Sequence, residues 1–192
     1  MKLINQKLLD KSTEFLKNLK PEDRIAVFHH TDPDGVSSGV IVTKTIEKII
    51  NRKVDLRINQ KSYEIFVSED TFKALRDNNI TKVITTDMAL DQDVPENFIL
   101  KVAEFAEILV IDHHKIYRDL NSDRITLIKP DMIYEDVNPS QYCTAKFAYD
   151  IVSNVVNIKD SDWIASIGII GDCGYQTWQE FVEKTMERYN IP

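Results

Sequence analysis

The sequence predicts an α/β fold in which a doubly wound, mainly parallel sheet is flanked by helices. Short apolar, β-branched runs recur along the chain, and their composition is typical of strands buried on both faces of a parallel sheet. Stretches with apolar residues at helical spacing separate these runs. Strands that alternate with helices form crossover units and therefore a layered sheet.

The predicted strands lie at residues 24–29, 54–58, 82–86, 107–111 and, at the sheet edge, 125–128. The predicted helices carry apolar residues near a 3.6-residue period, at residues 1–20, 40–50, 68–78, 97–106, 140–154, 160–170 and 177–189. Pro21 ends the first helix, Gly35 permits the turn into the second, and Ser68 is a suitable N-cap for the third.

The composition is that of one soluble domain. The chain has 192 residues, of which 43% are apolar, so we expect a single domain over residues 1–192 with a helical C-terminal part from about residue 139. No apolar run is long enough for a membrane span or a signal peptide, so we expect a cytoplasmic protein. Two cysteines, Cys143 and Cys173, do not suffice for a disulfide framework or a zinc-thiolate site.

The net charge of −7 is unevenly distributed, because the first 64 residues are net basic and the remainder is acidic. An acidic chain lacks the basic face that non-specific binding of duplex nucleic acid requires. If a polyanion binds, we expect its phosphates to lie against the first third of the chain.

His30, Asp32 and Asp34 follow the first strand at a spacing of two residues. Alternate residues of an extended loop face the same side, so these three side chains can converge. Pro33 stiffens the loop, and Gly35 allows it to turn into the helix. The alternative interpretation is a capping loop, in which Asp32 or Asp34 caps the next helix.

Further carboxylates and imidazoles follow two other strands. Asp87 follows the third strand, where it either caps the next element or bridges two metal ions. Asp112, His113 and His114 follow the fourth strand, and adjacent imidazoles at a strand end are uncommon. Ligands of open α/β sheets bind beyond the carboxyl ends of the strands, so these residues predict one shared site.

One further carboxylate completes the candidate site, whereas Cys173 and His29 receive no role in it. Asp172 lies in a late turn flanked by glycines and adds another carboxylate. Cys173 beside it is interpreted as an apolar filler, because no acid–base partner is adjacent in sequence. His29 can belong to the other face of its strand, so it is left in the core and receives no ligand role.

A mixed set of carboxylates and imidazoles without a thiolate favours Mn²⁺, with Mg²⁺, Fe or Co²⁺ as substitutes, over structural zinc. Two such ions clamp a phosphate, lower the pKa of a bridging water and stabilise both oxygens of an in-line displacement. The inferred reaction is hydrolysis of a phosphoester or phosphoanhydride. The candidate residues are His30, Asp32, Asp34, Asp87, His113, His114 and Asp172.

In this order, the motifs resemble the DHH phosphoesterase superfamily. The family signature consists of an Asp-x-Asp loop, a lone strand-end Asp, an Asp-His-His segment and a late Gly-x-x-x-Asp element. The matching segments are 30–35, Asp87, 112–114 and 168–172, so the resemblance covers about residues 24–174. The Asp-x-Asp-Gly form followed by Val-Ser-Ser-Gly is most similar to the RecJ-like branch of single-strand exonucleases.

The resemblance implies a role for each of these side chains. One Mn²⁺ would be held by His30, Asp32 and Asp87. The other would be held by Asp34, Asp87, His113 and Asp172. His114 would contact the substrate phosphate and stabilise its developing charge, and Asp112 would orient a histidine from behind the ligands.

The resemblance also implies a Mn²⁺-dependent hydrolase that acts from one end of single-stranded DNA or RNA. Short oligonucleotides, pAp and cyclic dinucleotides are alternative substrates, and a non-catalytic replication or repair scaffold is an alternative function. Lys61, Tyr63 and Tyr117 are candidates for contacting a strand. Family members usually carry a C-terminal domain with a Gly-Gly-His-like element, which has no match here. Either the chain is a stand-alone catalytic lobe, or a second domain of a longer protein or a replication or repair partner completes the substrate clamp.

The Asp32-Pro33-Asp34-Gly35 segment also resembles the opening motif of haloacid-dehalogenase-like phosphatases. In that interpretation Asp32 would be a phosphorylated nucleophile and Asp34 the acid–base residue. The interpretation leaves His113 and His114 without a role.

Overall fold

A five-stranded, all-parallel sheet forms the centre of the fold in the computed structural model, which describes residues 1–60, 68–92 and 97–191. Its strands are β2 (Ile25–His29), β3 (Leu56–Asn59), β4 (Lys82–Thr86), β5 (Glu107–Ile111) and β6 (Ile125–Ile128). Their order across the sheet is β3-β2-β4-β5-β6. Two further strands, β1 (Lys2–Leu3) and β7 (Tyr134–Glu135), form a small antiparallel pair.

Helices cover both faces of the sheet, so the predicted doubly wound α/β fold is confirmed. They are α1 (Gln6–Lys17), α2 (Pro33–Ile50), α3 (Glu69–Asp77), α4 (Phe98–Ala103), α5 (Pro130–Ile133), α6 (Thr144–Ser153), α7 (Asp162–Gly171) and α8 (Tyr175–Tyr189). Two 3-10 turns, Pro139–Gln141 and Lys159–Ser161, precede α6 and α7. In the described ranges, no helix is both long and apolar enough to cross a membrane.

Alternate residues of the central strands pack into two separate cores. On one face, Val27 of β2 packs in a cluster with α2, α6 and α7. On the other face, Ala26 and Phe28 belong to a second cluster with α3 and α4. Burial on both faces explains why these strands read as continuous apolar runs rather than as alternating patterns.

The N-terminal segment differs from the predicted helix over residues 1–20. Lys2–Leu3 pairs with β7, and α1 begins only at Gln6. The Asn5 side chain accepts a hydrogen bond from the Leu8 N–H at 3.1 Å and so caps the helix. The local cap therefore determines the start of the helix, although the apolar period extends further back.

The C-terminal part also differs in detail from the predicted helices. The predicted helix over 140–154 is divided, because the 3-10 turn Pro139–Gln141 ends before α6 begins at Thr144. The short helix α5 was not predicted, and it begins with Pro130, with one residue between it and the end of β6. These breaks matter because the turn and the first residues of α6 contact the candidate site.

The sheet register aligns the residues that follow the strands. His29 pairs with Thr86, Thr86 with Ile111, and Ile111 with Ile128. One position further along each strand, the next row consists of His30, Asp87, Asp112 and Lys129. Four polar or charged residues therefore stand side by side at the carboxyl edge, where open α/β sheets bind their ligands.

Candidate metal centre

The loop after β2 positions His30 and Asp32. Asp32 is the N-cap of α2, and its Oδ1 accepts a hydrogen bond from the Gly35 N–H at 2.7 Å. Its other oxygen, Oδ2, lies 2.8 Å from His30 Nδ1. The two interpretations of this loop are therefore compatible, because one carboxylate oxygen caps the helix while the other faces the site.

Asp34 lies in the first turn of α2 and is almost fully buried. Its two oxygens accept backbone hydrogen bonds from Thr144 at 2.7 Å and Ala145 at 2.6 Å, at the N-terminus of α6. The positive end of that helix partly compensates the carboxylate charge. Gly168 of α7 allows this approach, since a Cβ there would lie 2.3 Å from the Cβ of Ala145.

Asp87 stands at the centre of the arrangement. Its backbone has φ of 60°, a left-handed conformation that aspartate tolerates better than most residues. Its Oδ2 lies 3.7 Å from His30 Nδ1, and its Oδ1 lies 3.5 Å from His113 Nε2. Thr144 Oγ1 also donates a hydrogen bond to Oδ1 at 3.1 Å. This carboxylate therefore faces two imidazoles on opposite sides.

His113 is oriented by a backbone carbonyl. Its Nδ1 lies 3.0 Å from the Pro139 carbonyl oxygen, which accepts the Nδ1–H hydrogen bond. That hydrogen bond leaves the lone pair on Nε2, which points towards Asp34 Oδ2 at 3.9 Å and Asp87 Oδ1. The tautomer is thus the one in which Nε2 can bind a cation.

Asp172 approaches the same imidazole from the end of α7. Its Oδ2 lies 3.8 Å from His113 Nδ1, and this buried oxygen has no hydrogen-bond partner among the described residues. A buried carboxylate oxygen without a donor is costly, so it indicates a missing cation or water. Asp172 thereby joins Asp34 and His113 in a group of side chains that could hold a cation.

His114 lies beside His113, and the two ring centroids are 4.8 Å apart. Its Nδ1 donates a hydrogen bond to Asp112 Oδ1 at 2.7 Å. This hydrogen bond raises the pKa of His114. The buried Asp112 is flanked by Lys129, whose Nζ lies 2.9 Å from Oδ2. Although burial opposes ionisation, His114 and Lys129 lower the pKa of Asp112.

The electrostatics reflect carboxylates crowded together. Burial and the charge of Asp87 raise the pKa of Asp34 well above its usual value. Burial raises the pKa of Asp172 as well. Burial also opposes ionisation of Asp87, but His30 and His113 outweigh it and lower its pKa. Asp87 and Asp32 in turn raise the pKa of His30 to about 9.

The donor atoms fall into three overlapping groups, and within each group all atoms lie within 4.8 Å of one another. The groups are His30–Asp32–Asp87, Asp34–His113–Asp172 and Asp87–His113–His114. Carboxylate oxygens and imidazole nitrogens suit Mn²⁺ or a similar divalent ion, and no thiol belongs to these groups. The donor chemistry and the orphaned oxygen of Asp172 therefore fit a pair of divalent cations.

A cleft of about 380 Å³ opens beside these groups. Its walls include His114, Lys115, Tyr117, Gln60 and Met88. The Tyr117 side chain is exposed, and Lys115 Nζ lies 5.6 Å from the centre of its ring. Of the other residues considered for strand binding, 61 and 63 lie outside the described ranges.

His29 has the place expected for it outside the ligand groups, and the two cysteines also lie outside these groups. His29 is buried, and a Cβ at Gly39 of α2 would lie 2.6 Å from its Cγ, so its ring packs in the core. Cys143 is buried and free, and burial raises its thiol pKa, which disfavours a thiolate. Cys173 is free and exposed, so the expected apolar filler role does not describe it.

The sequence analysis missed three groups that support the site. Lys129 could have been found, because it follows a buried strand directly, as Asp87 and Asp112 do. The Pro139 carbonyl and Thr144 carry no such signal, since they reach the site through contacts between distant parts of the chain.

The chain belongs to the DHH family: residues 24–172 match the model described as "DHH family, N-terminal domain". This match covers the segment that contains all of the candidate residues. It also accounts for His113 and His114, which the dehalogenase-like interpretation leaves without a role. The search of curated proteins finds no match.

Solved structures share the fold at low sequence identity. Exonuclease RecJ bound to manganese superposes with a TM-score of 0.74 at 17% identity, over 95% of this chain and 48% of RecJ. CDC45 from Entamoeba histolytica gives 0.60 at 16%, over 95% and 37%. An exopolyphosphatase-related protein from Bacteroides fragilis gives 0.58 at 15%, over 98% and 59%. The fold is thus that of DHH phosphoesterases, and the chain spans about half the length of that RecJ.

Proposed function

We propose that this chain is a two-metal phosphoesterase that hydrolyses phosphodiester bonds with Mn²⁺. The observation that carries the proposal is the position of Asp87 between two groups of ligands. One ion would be held by His30, Asp32 and Asp87. The other would be held by Asp34, Asp87, His113 and Asp172. When bound, the ions supply Lewis acidity that activates water and neutralises charge on phosphoryl oxygens.

The remaining side chains have roles that follow from their contacts. His114 donates from Nδ1 to Asp112, so its Nε2 is free to meet a phosphate in the cleft. The raised pKa of His114 favours the protonated ring, which donates a hydrogen bond to a phosphoryl oxygen. Asp112 fixes the orientation of that ring, and the Pro139 carbonyl fixes that of His113.

The proposed substrate is single-stranded DNA or RNA, degraded from one end. The exposed Tyr117 ring in the cleft offers a stacking surface for a base, and Lys115 beside it offers a charge for the backbone. The likeness to exonuclease RecJ supports this choice. Short oligonucleotides, pAp and cyclic dinucleotides are alternative substrates, because the same hydrolysis of a phosphoester would act on them without a long strand in the cleft.

A second domain or a partner protein is proposed to complete the substrate clamp. This expectation agrees with the share of RecJ that the chain covers, which is about half. The alternative function, a replication or repair scaffold without catalysis, has its support in the likeness to CDC45. The ligand groups around Asp87 favour the enzyme, because a scaffold has no need for clustered buried carboxylates.

The test is Mn²⁺-dependent release of nucleotides from end-labelled single-stranded oligonucleotides. A panel with DNA, RNA, pAp, a cyclic dinucleotide and pyrophosphate would establish the substrate class. We expect His113→Ala and Asp172→Asn to abolish turnover, whereas Asp55→Asn, a buried carboxylate at the amino edge of the sheet, retains it. Wild-type turnover that survives both site variants would refute the two-metal mechanism. Bound Mn²⁺ without turnover of any substrate would favour the scaffold.

A further inference from the structure

Lys129, Asp91 and Asp112 form a fully buried ionic network next to the ligand groups. Lys129 Nζ lies 2.9 Å from Asp91 Oδ1 and 2.9 Å from Asp112 Oδ2, and all three side chains have no exposed surface. The three residues come from different strand ends, since Lys129 follows β6, Asp112 follows β5, and Asp91 lies in the loop after β4. The network therefore ties together three neighbouring strand ends of the sheet.

The same network holds the backbone of one segment, residues 112–117, which we call the DHH arm. Lys129 Nζ also donates a hydrogen bond to the Lys115 carbonyl oxygen at 2.9 Å. Asp91 Oδ2 accepts a hydrogen bond from the Tyr117 N–H at 3.0 Å. The arm has no regular secondary structure over its last four residues, so these contacts replace the hydrogen bonds of a helix or strand.

Stability alone does not explain such a network. Removing a lysine and two carboxylates from water is costly, and apolar residues of similar volume often give equal or greater stability. What apolar residues cannot do is hold a backbone carbonyl, a backbone N–H and the Asp112 carboxylate at defined positions. The hydrogen bonds of this network hold the two backbone groups, and the ion pair with Lys129 holds the carboxylate.

We propose that Lys129 and Asp91 are positioning residues that hold the DHH arm in its working geometry. Through Asp112, Lys129 sets the direction of the His114 ring, and through Lys115 and Tyr117 the network shapes one wall of the cleft. This inference rests on the proposed function for its catalytic consequence. It adds two residues that make no contact with metal or substrate.

The inference separates metal binding from turnover. His113 is held by the Pro139 carbonyl, which lies outside the network. Loss of the network should therefore leave the Mn²⁺ site intact while it loosens His114 and the cleft wall. A merely structural role would instead lower the folded fraction and leave the turnover of each folded molecule unchanged.

The experiment compares Asp91→Asn and Lys129→Met with Asp55→Asn. This control alters an ion pair between the largely buried Asp55 carboxylate and the exposed Arg24 guanidinium at the opposite edge of the sheet. Asp91→Asn preserves the volume and is the variant that tests the network if Lys129→Met does not fold. For the folded protein, we expect both network variants to lower kcat/KM about 10- to 100-fold. We expect the Mn²⁺ dissociation constant, measured by titration calorimetry, to stay unchanged, because the proposed ligands are retained. The control should retain both constants.

Hydrogen exchange provides a readout that does not need activity. The Tyr117 amide should be protected in the wild type and exchange at least about tenfold faster in both network variants, but not in Asp55→Asn. Unchanged exchange with unchanged kcat/KM would overturn the inference and leave the proposed function standing. If the wild type is inactive but the Tyr117 amide still exchanges faster in the network variants, the proposed function is refuted. The inference that the network positions the arm would then still stand.

Discussion

Asp87 and Asp112 are neighbours in the same row of the sheet, yet their charges are compensated in opposite ways. Asp112 is fully buried with a built-in cation, Lys129, and with the donor His114. Asp87 and Asp34 have only imidazoles as ion-pair partners among the described residues, and Asp172 presents an orphaned oxygen.

One edge of the sheet therefore compensates buried carboxylates in two different ways. Where a lysine is built in, the carboxylate serves as a fixed structural group. Where no lysine is built in, the accumulated negative charge is left for a cation from solution. The two designs make different predictions when either carboxylate, its partner or the pH is changed.

The largest expected effect is a loss of turnover when the Asp87 carboxylate is removed. Asp87→Asn removes the charge that faces both ligand groups, so we expect turnover to fall by at least about 10³-fold. Mn²⁺ binding should weaken in the same variant, as measured by calorimetry. Turnover within a few-fold of wild type would show that Asp87 does not link the two groups.

Loss of Lys129 should lower the free energy of unfolding rather than weaken metal binding. Lys129→Met leaves Asp91 and Asp112 buried without their cation, so we expect the free energy of unfolding to fall by about 3–5 kcal/mol. Urea denaturation without metal is the measurement. In contrast, Asp87→Asn removes one of several crowded carboxylates, and its metal-free form should lose less stability than Lys129→Met. The reverse order would show that the Lys129 ion pairs contribute less to stability than the Asp87 carboxylate does.

Added Mn²⁺ should stabilise the wild type by about 2.7 kcal/mol at a concentration about 100 times its Kd. Thermal unfolding with and without the ion measures this gain. The gain should persist in Asp91→Asn, where the ligand groups are intact, and shrink in His113→Ala, which keeps the His30–Asp32–Asp87 group but loses an imidazole from the other group. Equal gains in the two variants would mean that the ion binds elsewhere.

The pH dependence should reverse between the metal-free and the Mn²⁺-bound protein. Asp87 and Asp32 raise the pKa of His30 to about 9 in the folded chain, above the unfolded value of about 6.5. This group therefore stabilises the metal-free fold fully below about pH 6.5, and the contribution is lost as the pH rises through about 9. Mn²⁺ requires the deprotonated ring, so its stabilisation grows over the same window.

Unfolding free energies measured from pH 6.5 to 9 check this reversal. His30→Gln should flatten the decline of the metal-free protein, and His114, whose pKa is also raised, should account for part of the remaining slope. A metal-free stability that rises over this window would contradict the assignment of the His30 charge.

The smallest expected effect is the loss of stability when the hydrogen bond from Thr144 to Asp87 is removed. Thr144→Val removes the 3.1 Å hydrogen bond from Oγ1 to Asp87 with little change of volume. We expect a loss of about 0.5–1.5 kcal/mol in the metal-free protein. Circular dichroism during urea titration measures it, and a matched Thr126→Val change in β6 serves as the control.

The sequence was most informative where burial and strand ends coincide. The predicted strands at 82–86, 107–111 and 125–128 match β4, β5 and β6 residue for residue, because each is a short apolar run with clear boundaries. The same rule placed His30, Asp87 and Asp112 at one edge of the sheet. The candidate ligands that the sequence gathered do lie in overlapping groups in the structure.

The parts that sequence reasoning missed depend on tertiary contacts. The left-handed backbone of Asp87, whose N–H donates to the Ile111 carbonyl on the next strand, has no signal in the sequence. The Pro139 carbonyl is brought to His113 by the 3-10 turn before α6, and no periodicity announces that contact. The first helix begins at Gln6 rather than at residue 1, because Asn5 caps it, and the spacing of apolar residues does not reveal this cap.

The ligand groups draw on residues from His30 at the first central strand to Asp172 after the seventh helix. No partly synthesised or partly folded chain that lacks α7 can present both groups together. Under the proposed function, Mn²⁺ uptake would therefore be a late event in folding, because a chain that holds both ions must already have aligned its strands. Metal binding would then report correct folding in addition to supporting the proposed hydrolysis.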